Sequence, residues 1–428
     1  MSLQDRRQYQ ESCIRCSQCK FVPAPKSRDF TSLCPSIDHG QFHAYSGGGK
    51  VITSYALMEG KAAVTERLVN SVFACTMCGA CDTACKTNEG DNVEPLDTLY
   101  ELRAHLADQG HVPALMQTLM ERLRRDGSHH GPQAERSRWA EGLALKDATR
   151  ERVGVLLHVG GSNAFDTHQW DQLHVLVRWL RAASVDFGVA FDAERDAGGL
   201  AYDLGFQDDA RTLAQHQQRL LKASGASVLL SACAEDYAAF RNLYPRLGVS
   251  LQDVRVVHST DFLEELLAAG KLQLRTQGEG KFTYHDPCRL GRLSEPYTPW
   301  QGQWITVLNT MAVPDSPRPV LYGNGGNYEA PRRLLQRVQG LQLVEMERNR
   351  EFAYCCGAAA GAAQTYPAMA DGAALTRLRE AKATGASTLV TACAGCQRHL
   401  GAVAAAHGIE LQVQGVLDVL ANAAGVCA

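Results

Sequence analysis

Residues 1–125 contain short stretches in which apolar residues have helical spacing. After residue 152, strand patterns alternate with helix patterns. The segment 95–109 carries leucines three or four positions apart, which predicts a helix there. Residues 113–125 predict a second helix. Residues 126–150 are polar and are marked by glycine and proline, which is typical of a linker.

From residue 152 onward, short β-branched runs alternate with amphipathic stretches such as 165–182, which is an α/β pattern. Strands are predicted over 153–159, 185–189, 227–231, 254–258, 282–285, 319–322 and 388–391. An internal repeat divides this region, since Lys222–Cys233 reads KASGASVLLSAC and Lys382–Cys393 reads KATGASTLVTAC. In both copies a cysteine follows a buried strand, at the sheet edge where ligands bind in open α/β folds.

The composition argues against a nucleic-acid-binding, secreted or membrane-spanning protein. The formal net charge of −3 gives no signal of nucleic-acid binding. The opening residues lack the apolar core of a secretory signal, and the apolar runs are too short to span a bilayer. The chain contains fifteen cysteines. Without an export signal, they predict a reducing cytoplasm and metal-bound thiolates, with membrane association only through a partner subunit.

Eight cysteines lie between positions 13 and 85. The first run, C-x2-C-x2-C, contains Cys13, Cys16 and Cys19, and the second, C-x2-C-x2-C-x3-C, contains Cys75, Cys78, Cys81 and Cys85. Cys34, which precedes a proline, is the eighth. Eight thiolates match the ligand count of two cubane [4Fe-4S] clusters, each iron taking one sulfur. Backbone N–H groups between such cysteines can offset the negative charge of a cluster.

The fourth ligand of each cubane usually comes from the other motif. One predicted set is therefore Cys13, Cys16, Cys19 and Cys85, and the other is Cys34, Cys75, Cys78 and Cys81. Zinc is the alternative metal, but zinc sites close with two cysteine pairs rather than runs of three. Disulfides would require an oxidising compartment. The long gap between Cys19 and Cys34 predicts an inserted loop.

Five further cysteines form a third constellation in the C-terminal half. They are Cys288 in HDPC, Cys355 and Cys356 in CCG, and Cys393 and Cys396 in C-x2-C. Five thiolates are too many for one zinc or one cubane. Adjacent cysteines before Gly357 suit a close backbone approach to a cluster.

This set resembles the cysteine-rich CCG domain of heterodisulfide-reductase-type proteins. Together with the two N-terminal motifs, the chain is similar to the D subunit of heterodisulfide reductase and to the iron–sulfur subunits of glycolate oxidase and anaerobic glycerol-3-phosphate dehydrogenase. The resemblance implies that Cys288, Cys355, Cys356, Cys393 and Cys396 hold one further, non-cubane [4Fe-4S] cluster. It also implies an α+β multidomain fold. A helical ferredoxin-like domain (1–125) and a linker (126–150) would precede a degenerate CCG-type half-domain (151–280) and a CCG-type domain with the cluster site (281–428).

Two departures from the family pattern stand out. The gap between Cys288 and Cys355 is longer than is usual in the family, which predicts an inserted loop and strand over 293–322. The first half has also lost its ligands. Cys233 matches Cys393, but Asp236 stands in place of Cys396, Asp196 and Ala197 in place of the adjacent pair, and Gly161 in place of a further cysteine. Cys233 is therefore expected to be a buried thiol rather than a ligand. Cys427 is not expected to be a ligand.

The resemblance implies an iron–sulfur electron-transfer subunit of a multi-subunit oxidoreductase. Electrons would pass between a flavoprotein dehydrogenase or electron-transfer flavoprotein and a quinone, a membrane anchor or a thiol acceptor. The alternative is a catalytic disulfide reductase that uses the CCG site. Candidate catalytic residues are Cys355, Cys356, His285 and Asp286; the histidine and aspartate are equally compatible with a strand-end turn.

Overall fold

The computed structural model describes residues 2–90, 93–251, 253–274, 277–308 and 311–424. Cys427 lies outside the described residues. No helix in these ranges is both long and apolar enough to cross a membrane. Helices dominate the N-terminal part, and two parallel sheets follow, so the predicted α+β organisation is confirmed.

The N-terminal region is helical, and loops between its helices carry most of the first eight cysteines. Its helices are α1 (Arg7–Glu11), α2 (Pro35–Gly40), α3 (Gly47–Met58), α4 (Glu66–Phe73), α5 (Ala80–Glu89), α6 (Pro95–Asp108) and α7 (Ala114–Asp126). Helices α6 and α7 lie where the leucine period predicts them. The α6 leucines are buried in a core shared with the following sheet region. The segment between Cys19 and Cys34 is a loop, closed by a bridge between Phe21 and Ser32.

The first α/β unit is a five-stranded parallel sheet of order β1-β3-β2-β4-β5. Its strands are β1 (Lys146–Asp147), β2 (Val155–His158), β3 (Phe187–Val189), β4 (Val228–Ser231) and β5 (Arg255–His258). Its helices are α8 (Gly161–Ala164), α9 (Trp170–Ala182), α10 (Gly199–Asp203), α11 (Gln207–Ser224), α12 (Ala234–Ala238), α13 (Tyr244–Arg246) and α14 (Ser259–Ala268). Strand β1 comes from the segment 126–150, so part of that segment extends the sheet.

The second α/β unit is a four-stranded parallel sheet of order β11-β10-β6-β9. Its strands are β6 (Gln277–His285), β9 (Gln339–Leu343), β10 (Thr388–Thr391) and β11 (Gln412–Gly415). Its helices are α15 (Glu329–Gln336), α16 (Ala362–Thr365), α17 (Pro367–Ala383), α18 (Ala394–Ala406) and α19 (Val416–Ala423).

The insertion between Cys288 and Cys355 contains an antiparallel hairpin, β7 (Trp304–Val307) and β8 (Met311–Pro314). The strand predicted over 319–322 is wrong, because these residues belong to no strand. Pro317 and Pro319 offer no backbone N–H to a ladder, which explains why an apolar run there stays outside the sheet. Strand β9 takes the place beside β6 instead.

The internal repeat corresponds to equivalent strands. Strand β4 pairs with β2 in the first sheet, and strand β10 pairs with β6 in the second. His158 pairs with Ser231 in the first sheet, and His285 pairs with Thr391 in the second. Cys233 and Cys393 then cap the N-termini of α12 and α18. The two units therefore present corresponding residues at corresponding strand ends.

Candidate metal centres and the cavity between the α/β units

The two N-terminal cysteine runs wrap their loops in the same way. In the first run, Arg15 and Ser17 flank Cys16 with φ of 63° and 71°. In the second run, Met77 and Gly79 flank Cys78 with φ of 50° and 77°. Left-handed conformations at non-glycine residues are uncommon, and they turn a short loop tightly around its centre.

The eight cysteines gather in two groups. Cys85 lies near Cys13, Cys16 and Cys19, and Cys85 packs with Cys19 around Val93. In the other group, Cys81 lies near Cys34, Cys75 and Cys78, and these four line one cavity. These are the two sets that the spacing predicts, and each contains one cysteine from outside its run. Their role as ligands stays a prediction.

The N-terminus of α3 lies between the two groups, and three consecutive glycines make room for it. A Cβ on Gly47 would lie 2.9 Å from the Cys81 sulfur, and a Cβ on Gly48 would lie 3.4 Å from that of Cys19. The Gly48 N–H donates to Cys19 Sγ at 3.2 Å. The positive end of the helix dipole thus faces the sulfurs, where it stabilises negative charge. The cysteine spacing does not predict this role of α3, although its run of three glycines is visible in the sequence.

Burial makes Cys34 and Cys81 poor free thiolates. It raises the pKa of Cys34 to about 12, and it raises the pKa of Cys81 well above the ordinary value. Buried thiols of this kind are inert unless a metal takes up their charge. Eight sulfurs in two groups of four, with a glycine-lined helix end between them, fit two four-iron clusters.

The five C-terminal cysteines also converge. Cys288 follows β6, Cys355 and Cys356 precede α16, and Cys393 and Cys396 begin α18. Cys356 Sγ lies 3.2 Å from Cys396 Sγ. Cys355 is in hydrogen-bonding contact with Cys288 and Cys356, and Cys396 with Cys393. Gly357 has a φ of 98°, and a Cβ there would lie 2.3 Å from the Ala370 carbonyl oxygen, so only glycine lets this loop reach α17. Five adjoining sulfurs fit a cluster with more than four thiolate ligands.

His285 and Asp286 have different surroundings. A ring nitrogen of His285 and the sulfurs of Cys356 and Cys396 lie within 4.8 Å of one another. Arg377 Nε donates to His285 Nδ1 at 3.0 Å, so the neutral ring carries its proton on Nε2. Asp286 accepts two hydrogen bonds from Arg332, at 2.6 and 2.9 Å, and one from the Arg350 N–H. His285 therefore adjoins the sulfurs, whereas Asp286 braces the strand-end turn.

One contact joins the N-terminal region to the five-cysteine site. The thiols of Cys78 and Cys355 lie beside each other, and this contact is the main cause that lowers the pKa of Cys78. Arg292 lies beside them and is buried. Its Nε donates to the Cys78 carbonyl at 3.1 Å, and its Nη1 donates to the Ala353 carbonyl at 2.7 Å. No spacing in the sequence points to this contact, because the two cysteines belong to motifs in opposite halves of the chain.

In the first unit, an ion-pair network lies where the second unit has its cysteines. Asp236 Oδ2 lies 2.8 Å from His158 Nε2, and Asp236 Oδ1 accepts from the Ala197 N–H. Arg136 bridges Glu194, at 3.0 Å, and Asp196, at 3.2 Å. Burial alone would lower the pKa of His158, but the carboxylates of Glu194 and Asp236 outweigh burial and raise it.

Cys233 stands alone among these charges. Its thiol is buried and contacts Ser162 Oγ at 3.5 Å, and burial raises its pKa well above the ordinary value. A Cβ on Gly160 would lie 3.0 Å from its sulfur. No second cysteine among the described residues adjoins it at the positions of Asp196, Ala197 and Asp236. A single thiol cannot hold a four-iron cluster.

A cavity lies between the two units, next to both strand-end sites. The second unit contributes Ala358, Ala360, Gly361 and Gly395, which neighbour the cysteines in sequence. The first unit contributes His130, Asp196, Cys233 and Asp236, with His129 beside them. Arg289 and Arg398 add positive charge to the same walls.

The chain matches two domain families. The 4Fe-4S dicluster domain matches over residues 9–88, and the cysteine-rich CCG domain matches over residues 321–401. The first range contains all eight N-terminal cysteines, and the second contains four of the five C-terminal ones. Cys288 falls outside the second range, on the far side of the β7–β8 hairpin. The chain therefore matches both of the domain types that its cysteine motifs predict.

Relatives extend the match along the chain. The D subunit of the dihydromethanophenazine:CoB–CoM heterodisulfide reductase of Methanosarcina mazei is 28% identical, over 97% of this chain and 94% of its own length. A probable membrane-anchored ferredoxin of Chromohalobacter salexigens is 27% identical, over 96% of this chain and 59% of its own length. The EtfAB:quinone oxidoreductase of Syntrophomonas wolfei is 26% identical, over 82% of this chain and 48% of its own length.

Proposed function

Because this chain is a homologue of the D subunit of heterodisulfide reductase, we propose that it is the iron–sulfur electron-transfer subunit of a multi-subunit oxidoreductase. It relays electrons between a flavin dehydrogenase or electron-transfer flavoprotein and a quinone, membrane or thiol acceptor. Iron–sulfur clusters, when bound, supply the one-electron chemistry. The residues of the chain hold them, exclude water and set their electrostatic surroundings.

The contact between Cys78 and Cys355 carries this proposal. It makes the second N-terminal cysteine group and the five-cysteine site immediate neighbours. Cys81 in turn lies near Cys19 of the first group. The three groups of sulfurs therefore adjoin one another in series. Arg292 and the N-terminus of α3 place positive charge beside them, which favours uptake of an electron.

The ligand sets follow from the same placement. Cys13, Cys16, Cys19 and Cys85 hold one cubane [4Fe-4S] cluster, and Cys34, Cys75, Cys78 and Cys81 hold the other. Cys288, Cys355, Cys356, Cys393 and Cys396 hold a third, non-cubane [4Fe-4S] cluster. The domains are a dicluster domain over 1–125, a linker over 126–150, a half-domain without a cluster over 151–280, and a CCG domain over 281–428.

The relatives support two kinds of partner. One relative is named as an EtfAB:quinone oxidoreductase, and another as a membrane-anchored ferredoxin. By this likeness the chain works beside a flavoprotein in the cytoplasm and reaches the membrane through a partner subunit or a quinone. Nucleic acid is not among its partners, in keeping with its net charge.

Rapid mixing tests the relay. The complex that co-purifies with the tagged full chain is reduced through its flavoprotein and freeze-quenched, and EPR follows each cluster. Cys78→Ser should stop electron transfer from the second cubane to the CCG cluster. Cys16→Ala should stop electron transfer earlier, at the first cubane. Cys233→Ser is the matched control, and its CCG cluster should be reduced at the wild-type rate. Reduction of the CCG cluster at the wild-type rate in Cys78→Ser would refute the relay.

A catalytic role for the five-cysteine site is the second candidate, and the cavity between the units favours it. Ala358, Gly361 and Gly395, which are close to the cysteines in sequence, line this cavity, and Arg398 lines the same space. An anionic disulfide would fit these walls. In this case Cys355 and Cys356 contact the substrate, and His285, which adjoins Cys356, is the nearest proton carrier.

Turnover by the isolated subunit separates the two functions. The purified chain, with clusters assembled and reduced methyl viologen as donor, is given a small anionic disulfide. Thiol release that is lost in Arg398→Gln would support catalysis at this site. A relay subunit should release no thiol, while its CCG cluster still exchanges electrons with the flavoprotein.

A further inference from the structure

Two histidines and an aspartate meet in the cavity between the α/β units, outside the cysteine sites. One ring nitrogen each of His129 and His130 and a carboxylate oxygen of Asp196 lie within 4.8 Å of one another. All three residues line the cavity. The two imidazole rings have centroids 3.9 Å apart. Neither histidine belongs to a helix or strand, so their chain segment is available to shape a site.

The two carboxylate oxygens of Asp196 have different neighbours. Its Oδ1 accepts from Arg136, with both contacts at 3.2 Å. Its Oδ2 lies 3.4 Å from His129 Nδ1. Both of these atoms are buried, and apart from this 3.4 Å pair neither has a hydrogen-bond partner among the described residues. A pair this long satisfies buried polar atoms poorly, so a ligand held by both atoms would stabilise them.

The backbone holds the three residues together without help from the cysteine sites. The Asp196 N–H donates to the Gly127 carbonyl at 2.9 Å, which fixes the segment before His129 against Asp196. The His130 N–H donates to the buried Ser128 hydroxyl at 3.2 Å. Arg136 orients the carboxylate from its far side, as an outer partner does in metal sites.

Because Gly161 has no side chain, it leaves room for the side chains of His130 and Asp196. A Cβ there would lie 2.5 Å from Asp196 Oδ1 and 2.8 Å from His130 Cδ2. Any side chain at this position would push into the cluster of donors. In the other unit the corresponding residue is Cys288, which adjoins the sulfurs. The first unit therefore has nitrogen and oxygen donors gathered where the second unit has sulfur.

We propose that His129, His130 and Asp196 bind a zinc ion. Two imidazole nitrogens and one carboxylate oxygen are a donor set that suits Zn²⁺, and three protein ligands leave a fourth position. That position opens on the cavity, so water or an anionic group of a bound molecule completes the coordination. The site is independent of the electron-transfer function, since none of its donors belongs to the cysteine groups.

The test uses the full chain with its iron–sulfur clusters assembled anaerobically, followed by Zn²⁺ and removal of the excess. Metal analysis should find about one zinc per chain, and zinc K-edge EXAFS should show only nitrogen and oxygen neighbours at about 2.0–2.1 Å. Zinc that had entered a cysteine site would instead show sulfur at about 2.3 Å. Iron content and the EPR of the clusters report that each preparation is folded and loaded.

His129→Gln and His130→Gln should each weaken zinc binding by about 100-fold or more, since loss of an outer partner alone weakens a site by about 10–100-fold. The matched control is His111→Gln, because His111 is exposed at the end of α6; it should keep the zinc. The EXAFS of the wild type decides the matter even where a variant does not fold. A sulfur-only shell, or zinc content equal to that of a His129→Gln/His130→Gln double variant, would overturn the proposal.

Discussion

The first α/β unit has charged side chains at its strand ends, and the second has thiols at the same places. His158 and His285 end corresponding strands, and Asp236 stands where the second unit has Cys396. Gly198 and Gly357 have φ of 93° and 98°, and each closely approaches the backbone of a helix that follows it. The two units therefore share the backbone conformation at these positions but differ in the side chains that they place there.

What differs is the way in which buried groups are neutralised. In the first unit, Glu194 and Asp196 flank Arg136, and Asp236 contacts His158, so the charges are paired within the protein. In the second unit, burial and mutual contact disfavour free thiolates at Cys355 and Cys396. Such thiols need an outside partner, and an iron–sulfur cluster is the partner that their number suits. The first unit thus balances its buried charges with ion pairs, whereas the second unit has buried thiols at the corresponding places.

Removing one thiol from each unit should give the largest contrast. Cys356→Ser should lower the iron content from about twelve to about eight per chain and should remove one EPR signal, because each cluster holds four irons. Cys233→Ser should change neither, since the described residues around its thiol are carboxylates and a hydroxyl. Iron and sulfide analysis of anaerobic preparations provides the measurement. Equal loss in the two variants would mean that the first unit also holds iron.

Breaking the ion pairs of the first unit should be costly in stability. Arg136→Met leaves Glu194 and Asp196 buried without their cation, and loss of one partner from a buried pair costs about 3–5 kcal/mol. Urea unfolding followed by tryptophan fluorescence measures the change, because Trp139 and Trp179 are buried in this unit. Arg150→Ala removes an exposed pair with Asp147 and should cost less than about 1 kcal/mol. Equal effects of the two substitutions would show that the network is dispensable.

Arg292 should affect the potential of the second site. Its guanidinium lies beside Cys78, Cys288 and Cys355, and its Nη2 has no hydrogen-bond partner among the described residues. Arg292→Met removes a positive charge, so reduction of the CCG cluster becomes less favourable. We expect its midpoint potential to fall by about 60 mV, the tenfold equivalent for a one-electron couple.

A redox titration followed by EPR measures this potential. Arg292→Lys keeps the charge and should shift the potential by less than Arg292→Met does. A fall of the same size in both variants would attribute the effect to lost hydrogen bonds to the Cys78 and Ala353 carbonyls rather than to charge.

The smallest expected effect is the pH dependence that His258 gives to the stability of the first unit. Burial lowers the pKa of His258 to about 3, whereas Gly415 occupies the matching strand end in the second unit. The unfolded chain takes up a proton near the ordinary value of 6.5 and the folded chain does not. Stability is therefore full above that pH and is lost as the pH falls, by about 1 kcal/mol between about pH 6.5 and about pH 5.5.

Thermal melting at several pH values measures the effect. His258→Gln lacks the titration, so its melting temperature should approach that of the wild type as the pH falls from 8 towards about 5.5. A constant difference between the two proteins over this range would contradict the predicted linkage.

The sequence predicts those parts of the molecule that local signals determine. The leucine period predicts α6 and α7, and the repeat predicts β4 and β10 with a cysteine after each. The cysteine spacing predicts the two N-terminal groups. Spacing works there because ligand loops are short, and the repeat works because both copies keep the same turn.

Contacts between distant segments could not be predicted in this way. Arg136 lies in a polar segment that resembles a linker, yet it is buried against Glu194 and Asp196. The Cys78–Cys355 contact depends on how whole units pack. The predicted strand at 319–322 failed because its apolar residues follow two prolines, whose missing N–H groups outweigh strand propensity.

The loop that bears Cys34 is closed by residues that are synthesised much later. Arg348 Nη1 donates to the Ser32 carbonyl, and Tyr354 OH donates to Asp38 Oδ2 at 2.6 Å, each across 316 residues of sequence. A ribosome adds 316 residues in about 16–60 s. During that interval nothing from the second unit can cover this loop, so it is more accessible than in the folded chain. The order of synthesis thus leaves the surroundings of Cys34 open until the last third of the chain folds.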